Sequence, residues 1–348
     1  MLCKKIFWIG DLSMISLKDI AVNCGVSVAT VSKALNNQND ISEETKLLVR
    51  NTAESMGYWP NASAQALRTK RSHTIGVLFG DENGSGLTDE FFSHVFNALK
   101  RAAESMGYEI VFLSKKVGNH SRTYMEHCRY RSVDGVLMGF VPYHDEQILE
   151  IIMSDLPVVT VDFAFDNKTS VTFDYVQGMR DLVTYICEMG HRKIAYIHGQ
   201  HCYTTRCRLN SFYLVMEQYG IVVPNEYVRK SRYLDFRKAA QITNQLLDMS
   251  DPPTCIIYPN DFSSMGGIGA IRQRGLTIPD DISVAGYDGI PLSKAMTPPL
   301  TTLEQDSEKM GEVIASQLIH QIEHGKEAKV ERITVKGKLY PGKTVKRL

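Results

Sequence analysis

The chain has 348 residues, too many for one compact domain and enough for two or three. With 43% hydrophobic and 22% charged residues it falls outside the disordered, collagenous and coiled-coil classes, and its apolar runs stop far short of the ~20 residues of a membrane-spanning helix. Net charge is zero, yet residues 1–73 hold nine Lys/Arg against six Asp/Glu while the remainder holds 30 against 33, an asymmetry that suits a small nucleic-acid-binding head on a larger body.

Residues 1–13 carry Lys4, Lys5 and a short apolar stretch that Gly10-Asp11 interrupts before a signal-peptide core forms. Met14 stands just ahead of Ser16, so translation is expected to begin there, with 1–13 as an extension foreign to the native protein. Seven scattered cysteines read as reduced thiols and place the chain in the cytoplasm.

Residues 14–59 predict a head of three short helices. Ser16 caps the first, with Asp19 in its opening turn, and Gly25 stops it. Ser27 caps a second helix over Val28–Leu35; Ser42, followed by Glu43 and Glu44, opens a third that Gly57 ends. Two helices joined by a short glycine turn match a helix-turn-helix. The hexamer Ala-Glu-Ser-Met-Gly-Tyr occurs at 53–58 and again at 103–108; both copies fit a helix end with a glycine stop, and shared stop chemistry explains them better than a duplication.

After the head, residues 60–73 predict a hinge. Pro60 halts the preceding element, Asn61 can cap, and Ala62–Leu67 is too short to hold as a helix alone in water. Arg68, Lys70 and Arg71 follow directly. One large apolar side chain, Leu67, on a marginal helix with a basic tail suits a minor-groove wedge that orders only against DNA and a second copy of itself.

From Thr74 the pattern alternates short apolar runs with amphipathic helices, first over 74–173 and again over 174–304, with a strand expected near Ser231–Leu234. Such alternation builds parallel sheets covered on both faces. The fold class expected is therefore α/β: two doubly wound parallel-sheet lobes behind an all-α helix-turn-helix head. The lobes are assigned as 74–173 plus 307–330 and 174–306 plus 331–348, with a ligand between them at the carboxyl ends of the strands.

The motifs Ser16-Leu17-Lys18-Asp19-Ile20-Ala21, Gly25-Val26-Ser27-Val28-Ala29-Thr30-Val31-Ser32, Pro60-Asn61-Ala62, Gly190-His191-Arg192-Lys193-Ile194-Ala195, Asn260-Asp261 and Ile278-Pro279-Asp280-Asp281-Ile282-Ser283-Val284-Ala285-Gly286-Tyr287-Asp288 stand in one order. Through them the chain, from residue 16 to about 335, resembles the LacI/GalR family of bacterial transcription regulators. The resemblance implies lobes of periplasmic-binding-protein type and a sequence-specific DNA-binding regulator, expected to be a repressor, whose operator affinity is set by a small molecule between those lobes. An activator, or a regulator answering to a purine or another metabolite, is the alternative. It implies base reading by Val28, Ala29 and Lys33, phosphate or capping contacts by Ser27, Thr30, Ser32 and Asn36, and a hinge contact by Asn61, Leu67 and Arg68. Lys33 stands where the family more often has Arg, and a point charge discriminates guanine less sharply than a bidentate fork.

The effector contacts implied are Phe91, Phe92, Phe163, Asp174, Arg208, Asp261 and Asp288. Aromatic faces stack on the apolar side of a sugar or base, while carboxylates and one arginine meet its polar edge; three carboxylates suit a neutral sugar better than an anion. Each phenylalanine, taken alone, is better explained as core. Glu90, Tyr175 and Ser211 depart from the family's usual Pro, Asn and Gly. The partners expected are a near-palindromic operator duplex, the effector and a second copy of the chain, a dimer because the family's tetramer-forming heptad tail is missing. No cofactor, metal or membrane contact is expected, and no enzyme. His198, His201, Cys202 and Cys207 match no zinc spacing well, Gly266-Gly267-Ile268-Gly269 falls inside a predicted helix, and no serine sits in a nucleophile elbow.

Overall fold

The computed structural model of the chain describes residues 15–58, 71–80, 88–117 and 120–348, which fall into two units parted between Ser72 and His73. Asn61, Leu67 and Arg68, and with them the expected hinge helix, lie outside the described residues, as does the extension 1–13.

Among its described residues the first unit holds three helices, Leu17–Cys24, Val28–Leu35 and Glu43–Met56. Each begins on a serine whose hydroxyl accepts from an amide three residues on: Ser16 from Asp19 at 3.4 Å, Ser27 from Thr30 at 3.0 Å, Ser42 from Thr45 at 3.3 Å. Asp19 completes a capping box by accepting from the Ser16 amide at 2.8 Å. Ile20, Ala21, Val31, Ala34, Val49 and Ala53 make the core. Leu47 and Leu48 face outward, 62% and 49% exposed, because the helical period puts Val49 and Ala53 on the inner stripe instead. Lys46 buries its stem there and holds its ammonium on Glu43 at 2.7 Å.

The two copies of the hexamer end their helices with the same hydrogen bonds. Gly57 and Gly107 are left-handed, at φ 70° and 80°. Tyr58 donates to the Ala53 carbonyl and Tyr108 to the Ala103 carbonyl, each at 2.9 Å. One copy closes a helical head and the other feeds a strand, so the likeness is one of stop chemistry.

In the second unit the strands run, in chain order, β1 (Thr74–Phe79), β2 (Glu109–Phe112), the small ribbon β3 (Lys116–Val117) and β4 (His120–Ser121), β5 (Gly135–Gly139), β6 (Val158–Val161), β7 (Thr169–Phe173), β8 (Ile194–His198), β9 (Val228–Lys230), β10 (Cys255–Ile257), β11 (Ser283–Asp288), β12 (Thr301–Glu304), β13 (Arg332–Val335) and β14 (Lys338–Tyr340). They assemble into two six-stranded sheets, β13-β7-β6-β5-β1-β2 and β14-β12-β11-β10-β8-β9. The first is parallel throughout; in the second only β14 runs antiparallel, against β12. Fully buried apolar strands such as Val158–Val161 are what helix-covered parallel sheets require. The expected pair of doubly wound lobes is present.

Two details differ from expectation, and the glycine run lies in a helix as expected. The return of the chain to the first sheet runs further than 330, since β13 pairs with β7 from Arg332↔Ser170 to Val335↔Phe173. The strand expected at Ser231–Leu234 lies earlier, at Val228–Lys230, because Leu234 turns left-handed at φ 61° and Asp235 caps the next helix. Gly266 and Gly267 are packing glycines of the helix Asp261–Gln273. A Cβ on Gly266 would lie 1.9 Å from the Phe236 carbonyl oxygen, and one on Gly267 would lie 1.8 Å from the Tyr258 hydroxyl. Among the described residues no helix is long and apolar enough to cross a membrane.

Candidate nucleic-acid interface and ligand cleft

The second helix of the head presents the side chains singled out for DNA. Val31 and Ala34 turn inward at 0% exposure, which leaves Val28, Ala29 and Lys33 on the outer face. Ser27 caps this helix and its hydroxyl lies 2.9 Å from the Thr30 hydroxyl; Asn36 donates back to the Ser32 carbonyl at 2.5 Å. Both ends are thus pinned by side chains of the helix itself, and the outer face is free for a base edge. Lys33 forms an ion pair with Asp40.

The second unit gathers a different set of side chains. Three non-glycine residues take left-handed backbone at or just beyond strand ends: Phe140 after β5 (φ 57°), Asp162 after β6 (φ 60°) and Asp288 closing β11 (φ 105°). Such geometry costs about 1 kcal/mol or more at each position and re-aims the side chain. All three lie at carboxyl ends of parallel strands, where α/β sheets hold ligands.

Arg208, on the helix Tyr203–Gln218, is 2% exposed and central. It donates to the Pro259 carbonyl at 2.9 Å, approaches Asp288 at 3.8 Å, and lies 3.4 Å from the Tyr287 ring centre and 5.1 Å from that of Tyr175. Burial opposes its charge, but Tyr233, Tyr287 and Asp288 outweigh that and hold its pKa above the ordinary value. Asp288 also accepts from Gln305 at 2.9 Å; burial pushes its carboxyl well above the usual range, against the pull of Arg208. Across the cleft, Asp162 accepts from the Tyr175 hydroxyl at 2.6 Å and from Thr172 at 2.8 Å, and burial raises its pKa too. The Tyr175 ring therefore joins a carboxylate of one lobe to the guanidinium of the other. Arg208 Nε and the buried Tyr196 hydroxyl find no hydrogen-bond partner among the described residues, which leaves polar capacity at the centre of the cleft.

The remaining expected contacts sit as follows. Asp174 caps the helix Tyr175–Glu188 by accepting from Gln177 at 2.9 Å. Asp261 is shut in at 0% exposure, one oxygen accepting from Thr302 at 2.6 Å and the other from the Ile290 amide at 3.0 Å, and burial lifts its pKa to about 7. Its bonds tie a helix start to β12 and the loop after β11, a bracing job inside the lobe. Phe91, 8% exposed, packs on Phe173 at 5.5 Å, and Phe92 packs on Phe140 at 4.3 Å. The void they border, about 20 Å³, is near the size of one water. Phe163 stacks on Tyr143 at 4.5 Å.

The two departures from the family's pattern at positions 175 and 211 have local reasons. Tyr175 reaches Asp162 as described, and the Ser211 hydroxyl donates to the Val176 carbonyl at 2.7 Å. Sequence reasoning missed Asp162, Tyr233, Tyr287 and Gln305. A signal existed for the first: like Asp288, Asp162 is a carboxylate at the end of an apolar run.

Comparison with known proteins fits both units. Residues 16–61 match the model of bacterial regulatory proteins of the lacI family, and residues 183–345 match that of a periplasmic binding protein-like domain. The probable HTH-type transcriptional repressor ExuR of Bacillus subtilis is 31% identical over 339 residues, covering 96% of this chain and 99% of that protein. The ribose operon repressor of Escherichia coli K12 is 31% identical over 316 residues, covering 89% and 93%. A crystal structure of the lac repressor dimer bound to operator and an anti-inducer superposes with a TM-score of 0.80 at 26% identity, covering 96% of this chain and all of that one.

Proposed function

Because the chain belongs to the LacI family of bacterial regulators, whose members are DNA-binding repressors controlled by an effector, we propose that it is a cytoplasmic, dimeric repressor released from or delivered to its operator by a neutral sugar. The observation that carries the ligand class is the charge balance around Arg208. Its one positive charge already faces Asp288 at 3.8 Å, its faces are covered by Tyr287 and Tyr175, and Asp162 adds a second carboxylate. Burial already disfavours the charged forms of both carboxyls and would oppose a further one on an acidic ligand, whereas hydroxyl groups can exchange hydrogen bonds with these carboxyls and with Arg208.

On the DNA side, Val28 and Ala29 would offer apolar contact to thymine methyls and Lys33 would donate to guanine, two heads serving the halves of a near-palindrome. Leu67 would wedge open the central step. A second copy would cover Phe236 and Phe262, 45% and 39% exposed and packed edge to face at 5.9 Å, much as the related lac repressor is described as a dimer. A differential of about 1–3 kcal/mol between lobe states is enough to switch operator occupancy.

Thermal shift of the full chain tests the ligand class, with neutral pentoses and hexoses, their uronic acids, and purine bases and nucleosides as the panel. A neutral sugar should raise the midpoint and the matching uronic acid should not. A shift produced only by an acid or only by a purine would overturn the neutral-sugar reading, the purine then stacking on the aromatic walls.

A further inference from the structure

We infer that Asp40 is a positioning residue for base reading: its carboxylate aims the Lys33 ammonium at one guanine and withholds it from the phosphates. The inference rests on the base-reading role proposed for Lys33.

The two side chains lie seven residues apart, one on the second helix of the head and one on the loop before the third, and they form an ion pair. Lys33 draws the Asp40 carboxyl below the usual carboxylate range, chiefly through this hydrogen bond. The loop that carries Asp40 is built, not slack. The Gln38 amide donates to the Lys33 carbonyl at 3.1 Å, and the Ile41 amide to the Gln38 carbonyl at 3.4 Å. Asn37 turns left-handed at φ 55° and accepts from Arg50 at 3.3 Å, while Ile41 packs against the head's core. Asp40 is therefore held at a set place beside the reading helix.

About half of each side chain is exposed, 45% for Lys33 and 54% for Asp40. A pair so wet contributes little to folding, so stability does not explain it. Its value lies in what Lys33 otherwise is: a point charge on a flexible four-carbon stem, with three rotatable donors that any phosphate can satisfy. Taking up one donor fixes the direction of the other two, which can then address O6 and N7 of a guanine. The same carboxylate repels phosphate oxygens brought close in a wrong register, so the pair gains discrimination by making the wrong complexes worse. Lysine with a fixed carboxylate thus recovers part of the directionality that the family's more usual arginine has in its planar fork.

Fluorescence anisotropy with the full chain tests this. The parent duplex is the tightest recovered by the protein from a random pool, and every base pair of its half-site is permuted. The pair whose permutation weakens the wild type but not Lys33→Ala is the one Lys33 reads; if there is none, the base-reading role itself fails, whatever Asp40 does. At that pair, Asp40→Asn should reduce discrimination by about five-fold or more while other pairs keep theirs. It should also tighten binding to a scrambled duplex and steepen the salt dependence by about one phosphate contact. In the Lys33→Ala background, Asp40→Asn should leave discrimination unchanged. Asp40→Ser is the second variant, and unchanged thermal midpoints exclude unfolding as the cause. If Asp40→Asn tightens every duplex by one common factor, or acts equally without Lys33, Asp40 is only a repelling charge and the inference is overturned.

Discussion

The head, residues 15–58, and the lobes, residues 73–348, place their working side chains by opposite means. In the head, each described helix begins with an amide donating to a serine hydroxyl three residues back, and Val28, Ala29 and Lys33 are presented because Val31 and Ala34 are buried on the other side of one short helix. In the lobes, Arg208 meets Pro259, Tyr287 and Asp288, partners fifty to eighty residues away. The first arrangement is set by chain neighbours and survives changes elsewhere. The second exists only while strand order and helix packing hold, so it can be damaged at a distance.

The largest break in that contrast should come from Gly266→Val. The added side chain has no room against the Phe236 carbonyl, where even a Cβ would lie at 1.9 Å, so the helices Phe236–Leu247 and Asp261–Gln273 must part. A loss of about 3 kcal/mol is expected in the lobes. Chemical denaturation followed by near-UV circular dichroism should show it, while amide exchange in Leu17–Met56 stays as in the wild type. Slowed or quickened exchange in the head would mean that the two regions are not independent.

A smaller effect is expected from pH between 5 and 8. The Asp261 carboxyl titrates at about 7 in the folded lobes against an ordinary 3.8, burial being the main cause and the bonds from Thr302 and Ile290 opposing it. Between those values the folded state holds the proton that the unfolded state has lost. Stability from this group is therefore fully present below about pH 4 and falls as pH rises through 7, by about 4 kcal/mol overall and by about 2–3 kcal/mol between pH 5 and 8. Asp261→Asn should flatten the lobes' pH profile between 5 and 8 by that order, with the head unaffected. An unflattened profile would mean that the carboxyl is ionised throughout.

The smallest is local to the head. Ser27→Ala removes the oxygen that accepts from the Thr30 amide and should cost about 1 kcal/mol, read as faster amide exchange at Val28–Val31 with no change in ligand-induced shifts of the lobes. A change in those shifts would tie the reading helix to the cleft more tightly than its local bonds imply.

Much of this architecture was legible before any coordinates. The serine starts and glycine stops of the head, the strand–helix alternation of both lobes and the helical setting of Gly266-Gly267 all follow from short-range rules. Less of the cleft was. Arg208 and Asp288 do meet, but Asp261, which looks the same on paper, is sealed into the lobe by Thr302 and Ile290. Asp162 went unnoticed although it takes the hydroxyl of Tyr175. Leu47 and Leu48 look like core and face outward. For Asp261 and Asp162 the deciding contact joins elements whose neighbourhood no local pattern encodes, whereas the two leucines follow from the helical period.

What the amino-acid order determined alone is the set of elements and the type of layering, because caps, turns and hydrophobic period act between residues one to four apart. What only the tertiary structure decided is which polar side chains share the cleft, which carboxylates are ionised with ease and where each strand joins its sheet. Burial and charge pairing depend on distances through space, and the strand order that sets them brings together residues that the chain itself keeps far apart.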